Sequence, residues 1–291
     1  MKSFLLSFLM CCFSILPAWA QSSCCSAGHS TGLAMAAFAD ESAFRESHPG
    51  PLPADYQPKI GRMVQVKTEG GREAAVFEVK SGKSEGKIIL MFHEWWGLTD
   101  HIKKEAEQLH LETGATVLAP DLYERRIAGN AEEAAALMKG IDEARVRSII
   151  RACIAYGGKF SRIQCIGWCM GGSWSLQAAI MAGERGYGCV VYYGLPESDP
   201  GKLKALKGPV LGIYASKDQW ITPELVKSFD TNMKSLGLPF SYRTFDAAHA
   251  FANPGNPLYN REATTQAHAL ALDFLKKNFE VPLRKAPPEA E

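Results

Sequence analysis

Four side chains whose types could act together on one substrate stand far apart in the chain. They are Glu94 in "HEWWGL", Cys169 in "GWCMGG", Asp218 in "SKDQWITP" and His249 in "AAHAFANP". A thiol at neutral pH is mostly protonated, with an ordinary pKa of about 8.5, so a nucleophilic cysteine needs a base or a positive field. His249 can supply the base, and Asp218 can hold its imidazole in the right tautomer. Gly167 and Gly171 flank the cysteine in the pattern G-x-C-x-G, which puts sulfur where a strand-to-helix nucleophile turn usually carries a serine oxygen. Each residue alone has a blander reading. A buried cysteine packs as a small hydrophobe, Asp218 suits a loop or a cap before Pro223, His249 suits a satisfied loop histidine, and Glu94 suits a helix cap before Ile102.

Their places along the strands and helices weigh between these readings. Five apolar runs, "IILMF", "ATVLAP", "IQCIG", "CVVYYG" and "PVLGIYA", are bounded by turn residues, and a sixth strand-like run is "FSYRTF". Helical patterns over residues 102–112, 131–156, 171–182, 223–236 and 262–278 lie between and after them. Strands buried on both faces and alternating with helices predict an α/β domain with a doubly wound, mostly parallel sheet flanked by helices. A hairpin of "MVQVKT" and "EAAVFEVK" around "EGGR" precedes it. Ligands collect at the carboxyl ends of such strands. Glu94 follows "IILMF", Cys169 follows "IQCIG", Asp218 follows "PVLGIYA" and His249 follows "FSYRTF", so all four fall at one sheet edge. The order nucleophile, acid, histidine is that of the α/β-hydrolase fold.

Composition narrows the partners. Thirty-two basic against thirty-one acidic side chains give a net charge of +1 with no basic stripe, which argues against nucleic acid. Lys2, an apolar run and "AWA" ending at Ala20 predict a signal peptide over residues 1–20, cleaved before Gln21, hence a periplasmic or secreted protein with no stable membrane anchor. Residues 21–58 read as a proline-marked N-terminal extension with one short helical piece over residues 33–44. The hydrolase-like domain spans 59–280, and 281–291 form a tail. Cys153, Cys165 and Cys189 lie in apolar runs and read as buried hydrophobes. Cys24, Cys25 and His29 do not supply the four spaced ligands of a closed metal site, and no metal or organic cofactor is expected. The oligomeric state is not legible.

From about residue 61 to 279 the chain also resembles the dienelactone hydrolases (carboxymethylenebutenolidases), on "HEWWGL", "APDLYER", "GWCMGG", "SKDQWITP" and "AAHAFANP". The resemblance implies Cys169, Asp218 and His249 as a catalytic triad. It implies Glu94 as a fourth residue that substrate displaces to take the thiol proton. An oxyanion needs two fixed donors. The N–H after the cysteine, on Met170, supplies one at a helix start, and the resemblance places the second on Trp95. It implies further that Trp95, Trp96, Tyr123 and Trp220 line the substrate pocket. One departure stands out. The family holds a substrate carboxylate with arginines, one of them four residues after the histidine, where this chain has Asn253, and another on a stretch that here, over residues 130–142, has none. Arg125 or Arg126 is the remaining cationic candidate for substrate contact, and Asn253 can bond a neutral carbonyl or hydroxyl. The expected activity is opening of a small-molecule ester or lactone through an acyl-thioester. The alternatives are a broader carboxylesterase or thioesterase on the same triad, a non-catalytic secreted binding protein on this scaffold, and a thiol peroxidase.

Overall fold

The computed structural model describes residues 31–48, 50–51, 56–82 and 86–284. The N-terminal piece read as one helix breaks into α1 (Thr31–Ala34), a 3-10 turn (Met35–Asp40) and α2 (Ser42–Glu46). Alternating apolar residues around a Gly-Gly turn produce the expected hairpin, β1 (Arg62–Lys67) and β2 (Glu73–Val79), paired antiparallel from Arg62↔Glu78 to Lys67↔Glu73. Then follow β3 (Lys87–Phe92), α3 (Asp100–Thr113), β4 (Thr116–Pro120), α4 (Ala131–Lys139), α5 (Glu143–Tyr156), β5 (Arg162–Trp168), α6 (Met170–Ala182), β6 (Gly186–Tyr192), α7 (Pro200–Leu203), β7 (Val210–Ala215), α8 (Pro223–Ser235), β8 (Phe240–Phe245) and α9 (Arg261–Phe279).

The helical pattern over 131–156 is two helices, not one. Gly140 ends α4, and the Asp142 side chain accepts the Arg145 N–H to start α5 afresh. Asn130 caps α4 on the Glu133 N–H while the Glu133 carboxylate reaches back to the Gly129 N–H.

One sheet holds all eight strands in the order β1-β2-β4-β3-β5-β6-β7-β8. Its pairs are parallel from β4 to β8, and the hairpin is added antiparallel at one side. The inner strands are buried along their length, as their unbroken apolar runs require, whereas β8 at the edge exposes most of its residues. This is the α/β-hydrolase architecture that the strand–helix alternation predicts.

The extension packs onto this body. Gln177 in α6 donates to the Thr31 hydroxyl at 3.1 Å, Lys139 pairs with Asp40 at 2.6 Å, and Asn256 donates to the Ser47 carbonyl at 3.1 Å. Phe44 and Met35 are wholly buried. The expected signal peptide, Cys24, Cys25 and the end of the tail lie outside the described residues. Among the described residues no helix is long and apolar enough to cross a membrane.

Candidate active site

Cys169 stands between β5 and α6, at φ +54° and ψ −122°. A non-glycine residue tolerates that conformation only when its surroundings impose it. Two of the constraints are glycines. A Cβ on Gly167 would meet the Gly171 carbonyl oxygen at 2.1 Å, and one on Gly171 would meet the Phe92 oxygen at 2.3 Å, so the helix start, the elbow and the end of β3 approach as closely as backbones can. The Cys169 N–H also bonds the Tyr192 carbonyl at 3.0 Å, extending the ladder past the strand end.

The other residues arrive from neighbouring strand ends. Asp218 follows β7, and its Oδ1 accepts the N–H groups of Trp220 and Ile221, both at 2.9 Å. Its Oδ2 lies 2.7 Å from Nδ1 of His249, which follows β8. The Nε2 of His249 lies 3.4 Å from Cys169 Sγ. All three side chains are nearly inaccessible. Burial pushes the Cys169 thiol up, against the pull of His249, and the charge of Glu94 adds to the rise. Burial works against an imidazolium at His249, yet the Asp218 carboxylate and the Cys169 side chain together outweigh it and raise the ring's hold on a proton. Burial also opposes charge on Asp218, but His249 and the two backbone donors keep that carboxyl below its ordinary range. A buried thiol, an imidazole and a fixed carboxylate in this line can pass a proton from sulfur to nitrogen and aim the sulfur at a bound carbonyl.

Glu94 follows β3 by two residues and is buried beside the triad. Burial raises its carboxyl to about 7. Its Oε1 accepts from the Tyr193 hydroxyl at 3.5 Å, and its Oε2 from the Asn253 amide. The preceding His93 helps fix this turn, with Nδ1 at 2.6 Å from the Glu94 carbonyl and Nε2 accepting the Leu122 N–H at 3.1 Å.

Asn253 therefore departs from the reading that gave it to the substrate. Its amide donates to Glu94 and its Oδ1 accepts from the Gly255 N–H at 2.7 Å, so both ends are spent inside the protein. Arg125 departs as well. It sits exposed at φ +71° on a turn held by Asp121, whose Oδ2 accepts its backbone N–H at 2.6 Å, and Arg126 beside it is exposed too. Of the four aromatic residues assigned to the pocket, three are buried and Trp220 is half-buried. Tyr123 is buried with its hydroxyl 3.3 Å from Met170 Sδ. Trp95 and Trp96 are buried with ring centroids 4.9 Å apart, and the Trp220 ring stands 5.7 Å from that of His249.

Three residues at the site escape a reading by motif. Tyr193 follows β6, and its ring lies tilted 5.1 Å from that of His249. Its place after a buried strand was the available signal. Phe44 and His48 come from the extension. Phe44 packs edge-on against Trp95 and Trp220, each at 5.0 Å, and the His48 ring lies 5.5 Å from that of His249. Trp220 Nε1 donates to Glu41 at 3.0 Å. Only the i, i+4 spacing of Phe44 and His48 hinted that one face of that piece is buried.

Residues 74–279 match the dienelactone hydrolase family. A carboxymethylenebutenolidase of Pseudomonas sp. (strain P51) is 26% identical over 72% of this chain and 91% of its own. The dienelactone hydrolase-like promiscuous phosphotriesterase P91 from metagenomic libraries superposes with a TM-score of 0.64 at 21% identity, covering 75% of this chain and 97% of its own. The Pyrococcus furiosus esterase Pf2001 superposes with a TM-score of 0.57 at 15% identity, covering 80% and 97%. With the family matched over most of the chain and the α/β-hydrolase fold around it, this protein belongs to the dienelactone hydrolase family and is a carboxylic ester hydrolase.

Proposed function

We propose that this protein is an exported cysteine hydrolase that opens a small ester or lactone through an acyl-thioester on Cys169. The observation that carries the reading is His249 held between Asp218 at 2.7 Å and the Cys169 thiol at 3.4 Å on a strained elbow. As substrate binds, the thiol proton passes to His249 Nε2 and Sγ adds to the carbonyl carbon. The oxyanion that forms is met by the Met170 N–H at the start of α6 and by the Trp95 N–H. Collapse breaks the carbon–oxygen bond, and the imidazolium returns its proton to the departing alkoxide, which in a lactone stays on the same molecule. His249 then takes a proton from water, whose oxygen attacks the thioester, and the released thiolate is reprotonated.

Glu94 bears on the resting state. When ionised it opposes a thiolate at Cys169, and a protonated thiol resists oxidation outside the cell. The apolar leader ending in "AWA" supports export.

The decisive experiment is turnover of aryl esters and enol lactones by Cys169→Ala beside Cys165→Ala. Loss of turnover in the first with folding intact, and its retention in the second, is expected. Appreciable turnover by a purified Cys169→Ala protein overturns the reading. Covalent labelling of Cys169 by an activated ester separates an enzyme from a binding protein on the same scaffold. N-terminal sequencing of protein recovered outside the cytoplasm is expected to begin at Gln21.

A further inference from the structure

Ester hydrolysis uses the imidazole of His249 and leaves a second imidazole beside it without a task. His48 lies two residues beyond α2 and is 3% exposed. Its Nδ1 is 2.7 Å from the Phe44 carbonyl oxygen, which can only accept, and 2.8 Å from the Ser47 hydroxyl, whose own O–H is given to that carbonyl, so Nδ1 carries the ring proton. Nε2 is then a bare lone pair, buried and without a hydrogen-bond partner among the described residues. His249 gives its Nδ1–H to Asp218, and its Nε2 faces Cys169 Sγ. The sulfur and one ring nitrogen from each histidine all lie within 4.8 Å of one another.

Two imidazoles and one thiol make a nitrogen–sulfur donor set. It suits zinc or an ion of similar softness, and it does not suit magnesium or calcium, which seek oxygen. Both imidazoles already donate their far N–H, one to a carboxylate and one to a carbonyl, which is the outer arrangement that orients a metal-binding histidine. The carboxylate of Glu94 is bonded to Tyr193 and Asn253.

We propose that His48, Cys169 and His249 form a binding site for a zinc ion, with three protein ligands and the fourth position open. Binding expels to solvent the thiol proton and the proton that His249 holds on Nε2, and forms one zinc–sulfur and two zinc–nitrogen bonds, so an occupied site has no free nucleophile. Bonds of about 2.3 Å to sulfur and about 2.0 Å to nitrogen at tetrahedral angles set ligand atoms roughly 3.5 Å apart. The Cys169–His249 pair stands at 3.4 Å already. The widest pair closes by roughly 1 Å, and the short segment carrying His48 is the element that moves. The site is independent of which ester the protein cleaves.

The test uses the full chain with Cys24→Ser and Cys25→Ser, so that the vicinal thiols contribute nothing, and zinc alone as the probe. A competitive titration against a chromogenic chelator measures binding, and peptide mass spectrometry follows alkylation of Cys169 by iodoacetamide. One equivalent of zinc is expected to bind and to slow alkylation of Cys169 at least tenfold, while magnesium and calcium do neither. His48→Phe keeps a ring against Phe44 and Trp95 but has no donor atom, and it is expected to weaken zinc binding by roughly 10- to 100-fold. His48→Gln serves the same purpose if thermal unfolding shows the first variant misfolded. Failure to bind one equivalent, unchanged alkylation of Cys169 under saturating zinc, or undiminished affinity in a folded His48 variant overturns the proposal.

Discussion

At the scale of single residues, Glu94 is a group whose environment departs from its type in a way that solution measurements can read. Burial lifts its carboxyl from about 4.5 to about 7. Between those values the folded chain holds a proton that the unfolded chain has released, so stability falls as pH rises through the window. Glu94→Gln has no such proton to lose. Its melting temperature relative to the unaltered protein is expected to climb between pH 4.5 and 7.5, by the equivalent of about 3 kcal/mol at most. Above pH 7 the same variant also lacks the charge that opposes the thiolate, so iodoacetamide should alkylate Cys169 faster. A flat melting difference and an unaltered alkylation profile would leave Glu94 a packing residue only. Asn253 and Tyr193, which bond this carboxylate, belong to the same small network. Asn253 shows the limit of reading one position: an amide four residues after His249 is equally suited to a substrate carbonyl or to Glu94, and nothing in its neighbours along the chain distinguishes the two.

At the scale of elements, the strands announce themselves because a buried strand has no choice of residue type, and the strand ends carry the chemistry as a consequence. The segment from α1 to His48 is different. Its apolar residues are mostly alanine, and what the segment packs against, namely Trp95, Trp220 and α6, is distant in the chain. Phe44 anchors it over His249 with no accessible surface of its own. Truncating a buried phenylalanine costs about 3 kcal/mol, and here the loss falls on the docking of a short segment. Phe44→Ala is therefore expected to raise the alkylation rate of Cys169 at least tenfold, since iodoacetamide reaches the thiol only when the segment parts from the strand ends. An unchanged rate would mean that the thiol is screened by the hydrolase body itself.

At the scale of the whole molecule, charge placement bears on what the site accepts. Neither of the arginines that the resemblance associates with a substrate carboxylate has a counterpart, Asn253 is committed to Glu94, and Arg125 and Arg126 face solvent. A carboxylate taken into such a site without a cationic partner is costly. Neutral esters or lactones are therefore expected to be the better substrates. The measurement is kcat/KM for a carboxylate-bearing lactone and its methyl ester. A preference for the free acid above roughly tenfold, about 1.4 kcal/mol in the transition state, would reveal a cationic contact that the fold has not placed near the triad.

The sequence by itself determined the sheet, the order of its strands along the chain, and the four side chains at its carboxyl edge. Each follows from local rules: apolar runs need two covered faces, G-x-C-x-G needs a tight corner, and a strand end needs a loop. It also carried the break between α4 and α5, in Gly140 and Asp142, though the apolar spacing on either side masked it. Tertiary structure alone decided that Asn253 serves Glu94, that Arg125 turns outward, and that Phe44 and His48 from the extension reach the triad. Those outcomes depend on distances between residues far apart in the chain. His48 and His249 are separated by about two hundred positions, and only the folded sheet brings their rings to 5.5 Å.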